Sequence, residues 1–310
     1  MPEVYDGPII DSHHHVWDLG LGRHPWLAPD ARVAHRYGDY EPIKRDYLPA
    51  DYLRDVAGTG VVASVYMEAE WVPGAGLDEV RTVERYREDS GVPGSMVAQA
   101  WLDAPDAAER LAELAAVPAV KSVRHKPGGA TSPAEVAAGA RSLLSDDTWR
   151  EGYARLGDLG LHFDLQTPWW NLDEAHRLAV DFPETTLVID HAGVLASRDD
   201  ETVAAWRAAL ERIAHAPNVV IKASGLCVAG TPWTVEANRG PIEALVEVFG
   251  AERVMFGSNF PVDGMFIDFP GLVDGYSEIL SAFDVDAQRA VFHDTAQRVY
   301  DPRLLPDPTS

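Results

Sequence analysis

The sequence predicts an α/β fold, a closed (β/α)8 barrel, and three observations carry that expectation. Eight short apolar runs rich in β-branched residues recur along the chain. Stretches of helical periodicity separate them. No glycine-rich phosphate turn follows the first run, which argues against a doubly wound sheet. Strand alternating with helix implies parallel pairing through right-handed crossovers, and eight such units close naturally into a barrel. The 310 residues are expected to form one domain over 1–310.

In chain order the expected strands are Pro8–His15, Val61–Glu68, Ser95–Leu102, Ala119–His125, Leu161–Gln166, Thr185–His191, Asn218–Ser224 and Arg253–Ser258. Helical patterns occupy Leu77–Asp89, Pro105–Ala116, Asp147–Leu159, Leu172–Phe182, Glu201–His215 and Pro241–Phe249. A terminal helix over 284–300, packed on the barrel exterior, precedes a proline-rich tail from Pro302. The connection 16–49 has few helix signals and five aromatic residues, among them Trp17 and Trp26. Long loops in compact domains are usually functional or packing flaps, and this one is expected over the C-terminal mouth of the barrel.

Composition narrows the partners. Lys and Arg number 26 against 49 Asp and Glu, a net charge of −23, and a field of that sign argues against nucleic acid and anionic membrane as partners. No apolar segment approaches the length of a membrane span. Residues 1–6 carry no basic or apolar leader pattern, and the single Cys227 cannot pair within the chain. Cytoplasmic location is therefore expected, with a homo-oligomer left open.

The sharpest chemical signal is Asp11-Ser-His-His-His15. Side chains alternate along a strand, so His13 and His15 share a face, with Asp11 below and Trp17 above. Two imidazoles about 7 Å apart can hold one divalent ion or one substrate oxyanion. In Leu187-Val-Ile-Asp-His191, alternation groups Leu187, Ile189 and His191; if the apolar pair faces the barrel interior, His191 ends its strand in the mouth. Arg124, His125 and Lys126 end the fourth strand and Lys222 lies on the seventh, a cationic set suited to an anionic or strongly polar small substrate. Neutralisation of core carboxylates such as Asp11 or Asp164 is the alternative for Arg124 and Lys222. Gln166 shares a face with Asp164 and joins Trp17, Arg124, His125 and Lys222 as a substrate-binding candidate. Trp169, Trp170 and Trp233 are candidates for pocket walls, with exterior packing as the alternative.

Together, Asp11–His15, Val120-Lys-Ser-Val-Arg-His125, Asp190-His-Ala-Gly193 and Val254-Met-Phe-Gly-Ser-Asn-Phe-Pro261 resemble the amidohydrolase-related TIM-barrel proteins. That family includes sugar-acid lactonases and 2-pyrone-4,6-dicarboxylate lactonase. The resemblance implies that His13, His15 and His191 bind a divalent metal, zinc in the first instance, or the substrate carbonyl in metal-free members. It also implies hydrolysis of a lactone or related ester in a small carboxylate-bearing compound. One departure stands out: the family's eighth strand usually ends Gly-Ser-Asp, where the aspartate takes a proton from water, and this chain has Asn259. An amide can orient water but has no usable basicity. Glu68 is the first substitute for the base and Asp263 the second. A decarboxylase or lyase of the same superfamily, or a non-catalytic binding homologue, are the competing readings.

Overall fold

The computed structural model describes residues 3–306. Eight parallel strands follow one another around a single sheet. They are β1 (Ile9–His14), β2 (Val61–Met67), β3 (Ser95–Gln99), β4 (Val120–Arg124), β5 (His162–Leu165), β6 (Leu187–Ile189), β7 (Val219–Ala223) and β8 (Val254–Phe256). The sheet closes where the Asn259 amide donates to His13 O at 2.7 Å and the His15 amide to Phe260 O at 2.8 Å. Burial on both faces explains why these strands read as near-continuous apolar runs.

The outer helices follow the expected pattern, with Gly76–Ser90, Ala107–Ala115, Asp147–Leu159, Leu172–Asp181 and Asp200–Ile213 close to their predicted bounds. Val235–Phe249 starts earlier than Pro241 would suggest, because Thr234 caps it by accepting from the Ala237 amide. Strands are shorter than predicted at their C-terminal ends. His15, Glu68, His125, Gln166, His191 and Asn259 all lie just past the paired residues, where the chain is free to turn its side chains into the mouth. The connection 16–49 folds into three short 3-10 turns, and its Trp26, Val33, Ala34, His35 and Arg36 line a cavity together with His15, His191 and Asn259.

Three expectations need correction. Asp11 does not share a face with His13: a register shift between Asp11 and His14 interrupts the alternation. Asp11 instead accepts from Tyr52 Oη at 3.0 Å and from Ser258 Oγ at 2.7 Å, while His14 stacks on Tyr52. In β6 the faces are reversed. Val188 packs with the interior cluster that includes Ile10, Val65, Val97 and Met255, whereas Leu187 and Ile189 join the outer core. Asp190 therefore points inward, and His191 reaches the mouth because the chain leaves the strand with φ near +56°. Finally, the terminal helix is broken into Val285–Arg289, a π turn at Ala290–Asp294 and Thr295–Tyr300. Its last turn packs Ala296, Val299 and Tyr300 into the interior cluster, so it plugs one end of the barrel instead of lying outside it.

Candidate active site

A cavity of about 340 Å³ opens at the mouth, lined by His15, His191, Arg124, Arg36, Gln166 and Asn259 among others. His13 is fully buried and sits against two of these residues, its ring centroid 5.2 Å from that of His15 and 4.4 Å from that of His191. Close approach here depends on glycine. A Cβ on Gly257 would come within 2.9 Å of His13 Cβ, and one on Gly225 within 2.4 Å of His191 Nδ1 and 2.5 Å of Arg36 Nη2.

Hydrogen bonding fixes how the imidazoles are presented. His15 Nδ1 lies 2.9 Å from Met67 O, and a carbonyl only accepts, so the proton is on Nδ1 and the Nε2 lone pair is free. His13 places Nδ1 3.3 Å from Asp190 Oδ1, an electrostatic contact without hydrogen-bond geometry, and neither of its ring nitrogens has a hydrogen-bond partner. His191 Nδ1 lies 3.0 Å from Ser224 Oγ. Burial pushes His13 down to about 3 and holds His15 and His191 well below the usual imidazole range, so all three are neutral near pH 7. Among the described residues, no group of three or more His, Cys, Asp or Glu side chains is already placed to hold a metal ion.

Below the histidines runs a buried column of charge. Tyr300 Oη donates to Asp164 Oδ2 at 2.6 Å, and Lys222 Nζ reaches Asp164 at 2.6 Å and Asp190 at 3.2 Å. Burial works against an ionised Asp190, but Lys222 and His13 outweigh it and hold the carboxyl well below the usual range. This corrects one substrate-binding candidate: Lys222 is fully buried and serves Asp164 and Asp190, away from the cavity wall.

Other candidates also find different work. Arg124 lines the cavity, but its Nε and Nη2 donate to Glu68 Oε1 and Glu68 O at 2.5 and 2.7 Å, and its Nη1 donates to Gln166. It has little left for a substrate carboxylate. Glu68 is thereby tied up, with Oε2 also accepting from the Glu70 amide at 2.8 Å. Trp17 stacks behind His15 and donates to Arg45 O, outside the cavity lining. His125 accepts at Nδ1 from Trp149 Nε1 and faces a neighbouring cavity. Trp233 stacks on Tyr276, the exterior packing alternative, and Trp170 donates to Ala130 O.

Asn259 does line the cavity, with φ near +56°. Its Nδ2 donates to Asp263 Oδ1 at 2.6 Å, which leaves the carbonyl Oδ1 for the cavity. Burial raises Asp263 to about 6, against the pull of nearby Arg36. Sequence reasoning missed Arg36 and the inward role of Asp190. Arg36 comes from the aperiodic loop 16–49, lies over the Tyr37 ring at 4.4 Å, and acts through its charge on both Asp263 and His191.

The profile of one protein family, described as Amidohydrolase, matches residues 10–301. The chain belongs to the amidohydrolase family. It is a hydrolase by that membership. Among curated relatives, the protein y4mH of Sinorhizobium fredii (strain NBRC 101917 / NGR234) is 31% identical over 295 residues, covering 95% of this chain and 99% of that one. An L-fucono-1,5-lactonase of Burkholderia multivorans (strain ATCC 17616 / 249) is 28% identical, covering 96% and 97%. A crystal structure of a Burkholderia multivorans amidohydrolase with bound zinc aligns with a TM-score of 0.78 at 26% identity, covering 96% and 100%. No helix of this amidohydrolase, among the described residues, is long and apolar enough to cross a membrane.

Proposed function

We propose that this amidohydrolase opens a small carboxylate-bearing lactone: water adds to the ring carbonyl, the ring C–O bond breaks, and a hydroxy acid leaves. The observation that carries the reading is the set of three neutral imidazoles, two with Nδ1 hydrogen-bonded behind them and the third set against Asp190, beside a cavity whose lining includes the Arg36 cation. Names of relatives support the lactone part of it, since two of them are L-fucono-1,5-lactonases, and the carboxylate part rests on Arg36.

A neutral histidine that gives its Nδ1 proton to Met67 cannot donate from Nε2, so His15 does not stabilise an oxyanion by itself. A lone pair of that kind suits a cation, and His13, His15 and His191 would hold a divalent ion through Nε2, zinc being the ion in the Burkholderia multivorans structure. Such an ion would supply Lewis-acid polarisation of the carbonyl and an acidified water, so no strongly basic side chain is then required. The hold is expected to be weak, because Asn259 contributes no charge. Asp190 orients His13, as carboxylates behind ligating histidines do. Arg36 takes the substrate carboxylate, and Asn259 Oδ1 accepts a hydrogen bond from the attacking water. Glu68 positions Arg124 and is not the base. The buried, unpaired Cys227 fits a cytoplasmic site of action.

The test is zinc binding and acid release with sugar-acid and dicarboxylate lactones. Wild type is expected to bind zinc and release one acid per lactone; His15→Asn loses both, and Asp190→Asn weakens zinc about 10–100-fold. Undiminished zinc and turnover in His15→Asn, or release of carbon dioxide in place of hydroxy acid, overturns the reading.

A further inference from the structure

A second cavity of about 240 Å³ adjoins the first and is walled by Trp26, Trp71, Trp101, Pro25 and Pro73. The two share Trp26, Arg124, Glu70 and Lys126. Lys126 Nζ and Glu70 Oε1 form an ion pair at the shared boundary, with side chains 37% and 47% exposed. Exposed pairs of this kind contribute little, so this divider opens at small cost. Glu70 nonetheless adopts a left-handed backbone, φ near +54°, in which its amide reaches Glu68 Oε2. Left-handed non-glycine residues tend to persist where the surroundings fix them, often at ligand clamps.

The side cavity has aromatic walls with a few polar points. Trp101 is 41% exposed, a large indole left at the rim, edge-on to His125 with centroids 4.6 Å apart. Trp71 is 5% exposed, yet its Nε1–H has no partner. His125 Nδ1 accepts from both Trp149 Nε1 and the Leu102 amide, so its own proton is on Nε2. A cavity of roughly 150 Å³ is enough for benzene. At about 240 Å³, this one has room for a ring with a substituent.

We propose that this side cavity is a second substrate subsite, taking a flat aromatic or apolar substituent carried by the lactone. The substrate is thus a two-part acid: its lactone lies against His15 and His191, its carboxylate meets Arg36, and its second ring passes the Glu70–Lys126 pair to lie between Trp101 and Trp71. This rests on the lactonase reading for the first part only. The indole walls make the preference one of shape and π-face, and the His125 Nε2–H favours a ring bearing an oxygen acceptor.

Matched pairs of carboxylated lactones, one bearing a methyl group and one a phenyl group at the same ring carbon, test the subsite through kcat/KM. Non-hydrolysable 4-phenylbutyrate and butyrate, read by tryptophan fluorescence, test it through binding alone. Wild type is expected to prefer the phenyl member of both pairs. Trp101→Ala reduces that preference by roughly tenfold, the size of an aromatic contact with its buried area, and Trp101→Phe restores most of it. The methyl lactone is unaffected by either variant. Equal use of both lactones by wild type, or a Trp101→Ala loss shared equally by both, overturns the subsite. If no lactone is hydrolysed, the lactonase reading falls. The subsite is then decided by binding: tighter binding of 4-phenylbutyrate than butyrate that Trp101→Ala abolishes supports it, and indifference to Trp101→Ala overturns it.

Discussion

Glu79 stands behind Glu68 with Oε1 accepting from Tyr66 Oη and from the Ala69 amide, both at 2.8 Å, while Oε2 has no partner. Burial, and then the charge of Glu68, raise it to about 8. Near pH 7 the folded protein therefore keeps a proton on Glu79 that the unfolded chain releases above about 4.3. Stability is lost as pH rises through that window, because the folded state binds the extra proton. Glu79→Gln keeps the acceptor oxygen and removes the titration. The variant should gain on wild type by at most about 1.4 kcal/mol per pH unit between pH 5 and 8, and then level off. Urea midpoints at several pH values check this, and a difference that does not vary with pH sinks it. Arg124 and the Glu70 amide hold the two carboxylate oxygens of Glu68, which is why it acts as a strut.

At the scale of elements, the end of the chain shows what periodicity can and cannot convey. A helix over 284–300 was readable, but its last turn was expected outside the barrel, and Tyr300 instead plugs it and donates to Asp164. Tyr300→Phe removes one hydrogen bond to a charged group and should lower stability by about 1.5–3 kcal/mol in denaturant unfolding. kcat/KM should change little, because Asp190 and not Asp164 touches His13; a large loss of turnover with unchanged stability contradicts this. The eight strands were legible because burial on both faces leaves long apolar runs, and His13 and His15 because they end the first of them. The inward face of β6 was not. Leu187, Val188 and Ile189 are all apolar, so alternation alone cannot say which points inside, and the choice decided whether Asp190 or His191 entered the barrel. Arg36 was hidden for a different reason: a loop without a period says that it covers the mouth, and not which side chain descends.

Across the whole molecule, 26 basic and 49 acidic residues set a negative field around a local cation at Arg36. For a carboxylated lactone the far field repels and only the near field attracts. The screening length falls from about 30 Å at 0.01 M salt to about 8 Å at 0.15 M, so added salt removes the repulsion first. We expect kcat/KM for the anionic lactone to rise over that range and that for its neutral methyl ester to stay flat. A fall for the anionic lactone would mean that the local cations dominate at every distance. The column beneath the histidines has a temporal consequence. During synthesis His13 and His15 are made long before the turn that closes the column. Until the turn Thr295–Tyr300 arrives, the lower axis is open, and water reaches Asp164 and Lys222. A chain cut before Thr295 carries every residue that lines the pocket, yet it lacks the dry floor that sets their charges. The amidohydrolase site is therefore completed by a turn, Thr295–Tyr300, that lines none of its cavity.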